Sequence, residues 1–460
     1  MIGKELVHMM MLFFLLVLPA YGQSVGKEMS QLYERFKNAA CFDQVYPREK
    51  VYVHLDNSAY IAGDTIRYKA YVVRASSAHP SDLSKVLYVE LLDAEGEHLD
   101  RQVLKINRKG AAQGCIALRK PIQAGYYEVR AYTREMLNWG DCAYFSRVIP
   151  IFHRTESSRR QKKGIDWEPV RLSVPYVSRP SRRESLPRPY AMKLPAERLL
   201  SFYPEGGHRA KGVEQRIAFK LTNGRGCPVE DTVFVFRSNG ALLTYSVPEH
   251  EGMGSFIIPG NFDGGYASLS RKVRESDVKY PLPASSSDYS LQVKMDGKHL
   301  CVKFLGNDSA LTRSPLLGIG VFHKEKALYF DTLTLDAPVE MTIPMDKLCG
   351  GVNRLEVFDA KGGSIASRMF WAPLTEKDSM YLTRVKVHGN EMDKDNPSVC
   401  RLKVCITDHE DKPVQGADVS ISVGVDNILS TRDGGIGGYM LLASELRGYI
   451  HRPDLYFFGR

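Results

Sequence analysis

His54 and Asp56 are the first residues in this chain whose types and spacing could do chemistry. An imidazole and a carboxylate two positions apart on a strand share a face, where they can hydrogen-bond or titrate together. The reading favoured for this spacing is a polar pair on a sheet surface or edge. Asp393-Lys394-Asp395-Asn396 opens like a calcium loop but lacks the glycine at position six and the closing glutamate, so it reads as a solvated loop. Gly434-Gly435-Ile436-Gly437-Gly438 has the glycines of a phosphate cradle without a following Lys-Ser/Thr, and reads as a flexible turn. Neither His-Glu-x-x-His nor Gly-x-Ser-x-Gly occurs. The expectation is a protein that is not an enzyme, with no catalytic residue, no cofactor and no metal ligand.

Eight cysteines stand at 41, 115, 142, 227, 301, 349, 400 and 405, without framework spacing. Along Cys400–Ile406 the alternation puts 400, 402, 404 and 406 on one face and Cys405 on the other, so the two nearest thiols diverge. Buried small hydrophobes are favoured here over a disulfide or zinc pair.

The net charge of +9 is concentrated. Residues 154–193 hold eleven Lys/Arg against four Asp/Glu, which leaves about +2 for everything else. No folded part is strongly basic, which argues against nucleic acid as a partner. The same segment carries the dibasic pairs Arg159-Arg160, Lys162-Lys163 and Arg182-Arg183 among repeated prolines. It reads as an extended, mobile linker over 154–195 and a candidate protease-sensitive site.

Period-two patterning dominates the elements that must position such residues. Ile66, Tyr68, Ala70 and Val72 face one way, and Arg67, Lys69 and Tyr71 the other. Similar strands are expected at Val86–Leu92, His98–Ile106, Cys115–Leu118, Tyr127–Tyr132 and Phe145–Ile151, at a density typical of an antiparallel sandwich. Others follow at Arg216–Leu221, Val233–Phe236, Leu316–Phe322, Leu328–Leu333, Val339–Ile343, Leu355–Phe358 and Ile365–Trp371. Leu291, Val293 and Met295 lead into Asp296-Gly297, and Leu300, Val302 and Phe304 lead away, which predicts a hairpin with a type I′ turn. The spacing Gly114…Gly125-Tyr126 recurs at Gly254…Gly265-Tyr266, a weak internal repeat. Near the end Cys400–Thr407 and Asp418–Val425 read as strands, followed by a helix from Tyr439 and a tail.

Lys4, the apolar run from Met9 to Leu18 and Ala20-Tyr21-Gly22 form a secretory leader, with cleavage expected between Gly22 and Gln23. The run is too short to anchor in a bilayer, and no later stretch approaches the roughly 20 apolar residues of a span. The expectation is an exported protein of the periplasm, the outer-membrane periphery or the exterior. Met29, Leu32, Tyr33, Phe36 and Ala40 then mark a short amphipathic helix that would cover a sheet edge or end.

The run from Glu49 to Val73, "EKVYVHLDNSAYIAGDTIRYKAYVV", resembles the start of the MG2 domain of the α2-macroglobulin superfamily, in the version of large exported Bacteroidetes-type proteins. "AYTREMLNWG" at 131–140 and "FYPEGG" at 202–207 are similar to that group as well. The resemblance implies an all-β fold of tandem antiparallel macroglobulin-like sandwiches, immunoglobulin-like or fibronectin-like in build, with a short N-terminal helix. The division expected is a leader over 1–22, the helix over 23–46, an MG2-like sandwich over 47–153, the linker, sandwiches over 196–283 and 284–374, and a fourth β-domain over 375–460 short of a full sandwich. The function implied is endopeptidase-inhibitor-like protein contact. Thioester members of the superfamily use Gly-Cys-Gly-Glu-Gln, whereas Gly114-Cys115 and Gly226-Cys227 lead into Ile116 and Pro228. The partner expected is therefore a protease held without a thioester. The alternative is a receptor component of a TonB-dependent outer-membrane system, with this chain as its accessory or scaffold.

Overall fold

The computed structural model describes residues 30–152, 198–423 and 434–446 apart from gaps at 39, 43, 120, 141–142, 224–227, 325, 376–377, 379–382 and 393–398, together with 450, 453 and 456. The leader junction at Gly22 and Gln23, the dibasic pairs and Asp393–Asn396 lie outside the described residues. The fold is all-β and largely antiparallel, in two compact units.

One unit holds the first sandwich. Strands β1 (Glu49–Leu55), β3 (Thr65–Arg74) and β6 (Ala111–Ala117) form a three-stranded sheet in the order β1-β3-β6. Strands β2 (Tyr60–Ile61), β4 (Val86–Leu92), β5 (His98–Lys105), β7 (Gly125–Tyr132) and β8 (Phe145–Phe152) form the facing sheet, ordered β2-β8-β7-β4-β5. Alternation sets the register as the sequence predicts: Ile66, Tyr68, Ala70 and Val72 are buried, Arg67 is exposed, and Lys69 and Tyr71 are half-buried on the outer face.

The other unit holds two further sandwiches. The second pairs a sheet of β9 (Arg198–Pro204), β11 (Gln215–Asn223) and β14 (Met253–Ile258) with one of β12 (Val233–Arg237), β13 (Leu242–Ser246), β15 (Gly265–Ser268) and β16 (Tyr280–Pro281), and the short strands β10 (Arg209–Ala210) and β17 (Ser285–Ser287) pair in parallel with each other. The third packs β18 (Tyr289–Met295), β19 (His299–Gly306) and β22 (Val339–Pro344) on β20 (Leu316–His323), β21 (Lys326–Thr334), β23 (Gly351–Asp359) and β24 (Ser364–Ala372). Each of the three has its own buried core.

The internal repeat has a steric cause. Gly114 pairs with Tyr68 and Gly254 with Phe219 on the adjacent strand, and a Cβ on either glycine would lie 2.5 Å from that ring or its hydroxyl. In both sandwiches the glycine makes room for an aromatic side chain.

Five expectations need correction. The β18–β19 turn centres on Gly297-Lys298, with Asp296 facing His299 and Gly297 at φ 90°, so the glycine takes the first central position as in a type II′ turn. The N-terminal helix, α1, helical at 30–38, 40–42 and 44–45, covers a sheet face instead of an edge or end. Leu32 is buried over Gly318, and Phe36 stacks on Phe330 at 4.5 Å and meets Phe322 edge-on. Residues 418–423 join no ladder, so the strand expected at Asp418–Val425 is absent from the part described. Gly435–Gly438 is a helical turn that leads into helical Tyr439–Ala443, not a flexible turn. Finally, Cys41 and Cys115 are exposed and Cys301, Cys349 and Cys405 half-buried; all five are free thiols, and none is a core residue.

Candidate functional site

The three motifs that carry the sequence resemblance are built around buried carboxylates. Glu49 opens β1, and its carboxylate accepts from the Ser81 hydroxyl, from Ser84 N–H at 3.1 Å and Ser84 Oγ at 2.6 Å, and from Thr133 Oγ1 at 2.6 Å. Its own amide donates to Glu135 Oε2 at 2.9 Å. The first motif is thus fastened to the second, which lies on the 131–140 turn. Hydroxyl and amide donors satisfy this buried acid.

In "FYPEGG", Glu205 does comparable work between the second and third sandwiches. Its carboxylate accepts from Val293 N–H at 3.1 Å and lies 3.6 Å from Arg216 Nε and 3.7 Å from Arg368 Nε. Gln215, fully buried, donates to the carbonyls of Glu205 and His208 and accepts from Ala210 N–H. Gly206 has φ 91°, and a Cβ there would press within 3.1 Å of Leu291. That close approach is what the glycine permits.

His54 and Asp56 are directed to different partners. Asp56 Oδ1 accepts the Tyr60 hydroxyl at 2.8 Å and Arg67 N–H at 3.0 Å. Burial first, and this carboxylate second, drive the Tyr60 phenol well above its ordinary range. The His54 ring lies between two hydroxyls, with Nδ1 2.6 Å from Ser420 Oγ and Nε2 3.2 Å from Ser422 Oγ. A Ser-His pair activates its hydroxyl when a carboxylate orients the second ring nitrogen. Here a second serine takes that position, and the nearby Asp418 carboxylate is paired with Lys69. The geometry suits holding a segment in place.

Tyr439 packs against Tyr52 and Phe145, with ring centroids 5.6 and 5.3 Å away. Lys50 donates to Ser444 Oγ at 2.8 Å and pairs with Glu445. Sequence reasoning missed these contacts because they join residues roughly 300 to 400 positions apart. The apolar run Tyr439–Leu442 was the available signal.

A second surface lies on the outer face of the β13-β12-β15-β16 sheet. Val233 and Val235 point into the core, so Phe234 and Phe236 point out, paired with Tyr245 and Leu242 on β13; Tyr266 on β15 lies opposite Phe236. Tyr245 is 64% exposed and Leu242 42%, and Lys279 sits over the Tyr266 ring at 5.0 Å. Among the described residues no cluster of His, Cys, Asp and Glu could hold a metal ion, and no helix is long and apolar enough to cross a membrane.

This architecture defines a class: proteins made of tandem antiparallel β-sandwiches. No family model matches the chain, and no curated protein matches it. Among solved structures it is similar to Escherichia coli α2-macroglobulin activated by porcine elastase, at 12% identity and a TM-score of 0.23, over 78% of this chain and 33% of that one. It is also similar to Salmonella α2-macroglobulin reacted with methylamine, at 12% identity and TM-score 0.20, over 78% of this chain and 25% of that one. A tetra-tandem repeat from the extending region of a large adhesion protein matches at 12% identity and TM-score 0.19, over 82% of this chain and 92% of that one. The chain spans a third or less of these macroglobulins.

Proposed function

We propose that this is an exported, non-enzymatic protein that works by protein–protein contact, of endopeptidase-inhibitor type but without a thioester. The observation that carries the reading is the aromatic outer face of the second sandwich. Phe234, Phe236, Leu242, Tyr245 and Tyr266 gather on one sheet surface, Tyr245 and Leu242 exposed, Phe234 and Tyr266 half-buried and Phe236 buried among them, with Lys279 over the Tyr266 ring. A partly exposed aromatic and aliphatic surface with a lysine stacked on it has the composition of a protein-binding patch. The macroglobulin-like motifs support the inhibitor class, and the dibasic pairs at 159–160, 162–163 and 182–183 would offer a protease its entry point.

The test is a pull-down of the exported protein from its own cell envelope, wild type beside Tyr245→Asp and Leu242→Asp. The expected result is one protein retained by the wild type and lost from both variants. A retained protease supports the inhibitor reading, whereas an outer-membrane receptor component would replace it with an accessory role. Equal retention by all three chains overturns the assignment of this face.

A further inference from the structure

The side of the first sandwich that carries His54 and Lys69 is already occupied by a distant piece of the same polypeptide. These two residues are cross-strand partners on β1 and β3, and both point away from the core formed by Val53 and Ala70. Across them runs the strap Gly416-Ala417-Asp418-Val419-Ser420-Ile421-Ser422-Val423. Asp418 pairs with Lys69, whose Nζ also donates to the Val419 carbonyl at 3.2 Å. Ser420 and Ser422 meet the two nitrogens of His54, and Lys109 Nζ donates to the Gly416 carbonyl at 2.9 Å.

The orientation of the strap is inverted relative to a core strand. Its polar positions 418, 420 and 422 face the sandwich, whereas Val419, Ile421 and Val423 are exposed, Ile421 to 67% and Val423 to 82%. A strand held by the hydrophobic effect buries the apolar set. This one is fastened by side-chain hydrogen bonds and one partly exposed ion pair, contacts that are individually weak and screened by salt. Nearby, Tyr439 and Met440 are attached in the opposite manner, with both side chains buried. The two attachments differ in kind, so one can open while the other holds.

We propose that the outer face of β1 and β3 is a docking site for an extended segment bearing an acidic residue followed by hydroxyls two and four positions later, and that residues 416–423 occupy it in cis as a displaceable latch. The receptor chemistry is a row of two lysines with an imidazole at its end: Lys109 and Lys69 take the backbone carbonyls and the acid, and His54 takes both hydroxyls. A partner presenting an acidic, serine- or threonine-rich extended segment would compete with the strap and release it, leaving the Tyr439 attachment in place. This inference is independent of the aromatic face of the second sandwich.

Hydrogen exchange on the full chain tests it, comparing Lys69→Glu, Asp418→Lys and the double exchange. Each single variant should raise amide exchange in 416–423 by about ten-fold while 436–445 stays protected, and the double variant should restore protection. In a second arm, a synthetic peptide of the 416–423 sequence should bind the Asp418→Lys chain, whose own strap is released, more tightly than the wild type. Adding Lys69→Glu should abolish that binding. Unchanged exchange in both single variants overturns the proposal, as does exchange rising together in 416–423 and 436–445, which would mean one unfolding unit. Failure of the peptide to bind the Asp418→Lys chain also overturns it.

Discussion

Thr133 Oγ1 donates to Glu49 Oε2 at 2.6 Å across 84 residues of chain, and this bond ties the first strand of the first sandwich to the turn that follows β7. It explains why two motifs far apart in sequence occur together: one supplies a buried acid and the other a donor for it. The acid also holds Ser81 and Ser84, so three separate stretches of backbone meet at a single side chain.

Removing that side chain leaves buried donors without an acceptor. Glu49→Ala should cost about 2–4 kcal/mol in urea unfolding, and Thr133→Val about 1 kcal/mol, because in the second case only one of several donors is lost. Equal costs for the two would mean that Glu49 is not the centre of the network.

The Tyr68–Gly114 pairing makes a sharper prediction. Tyr68 is buried, and its hydroxyl donates to Gln102 at 2.6 Å, so Tyr68→Ala should cost about 3 kcal/mol, whereas Lys69→Ala should cost under about 1 kcal/mol. Gly114→Ala would place a methyl 2.5 Å from the Tyr68 hydroxyl and should destabilise the wild type, yet be better tolerated in the Tyr68→Ala background. A thermal-shift cycle over the four chains reads this coupling; additive costs would show that the ring does not fill the space above Gly114.

The alternation of the strands was legible because period two is a local property, and Ile66, Tyr68, Ala70 and Val72 show it without reference to the rest of the chain. The candidate site was far less so. His54 looks toward Asp56 in sequence, but its ring contacts serines more than 360 positions away, and no local pattern encodes that distance. Residues 418–423 alternate as a strand does, but alternation cannot reveal that the polar side faces the sandwich. The N-terminal helix likewise shows an apolar stripe without naming the sheet it covers; the signal lies in Gly318 and Gly320, two glycines at outward positions of β20.

That helix yields the next prediction. Leu32 is buried over Gly318, so Leu32→Ala should destabilise the unit by about 2–4 kcal/mol, whereas replacing the exposed Glu34 by Ala should change stability by under about 0.5 kcal/mol. Limited proteolysis should release the helix from the Leu32→Ala chain first. If both variants are cut alike, the helix is not held by that contact.

Acid should weaken the start of the third sandwich through Asp288. Its carboxylate accepts from Arg313 at 2.8 Å and from Asn307 Nδ2 at 2.8 Å, and the Arg313 bond, followed by the Asn307 bond, holds its pKa below the usual carboxylate value. Asn307 in turn caps the helix Asp308–Arg313 by accepting from Ala310 N–H at 2.9 Å, so the acid secures both ends of that helix. A carboxyl with a depressed folded pKa contributes stability that is present above its unfolded value, near about 4, and lost as pH falls through the folded value. Carbon-13 carboxyl titration should therefore place the Asp288 midpoint below 3.8, its ordinary value. Asp288→Asn should remove that part of the acid sensitivity, so the stability gap between wild type and variant should be widest near neutral pH and narrow as pH falls below about 4. A midpoint at or above the ordinary value, or a gap that stays constant through the acid range, would show that the Arg313 pair is too loosely held to matter.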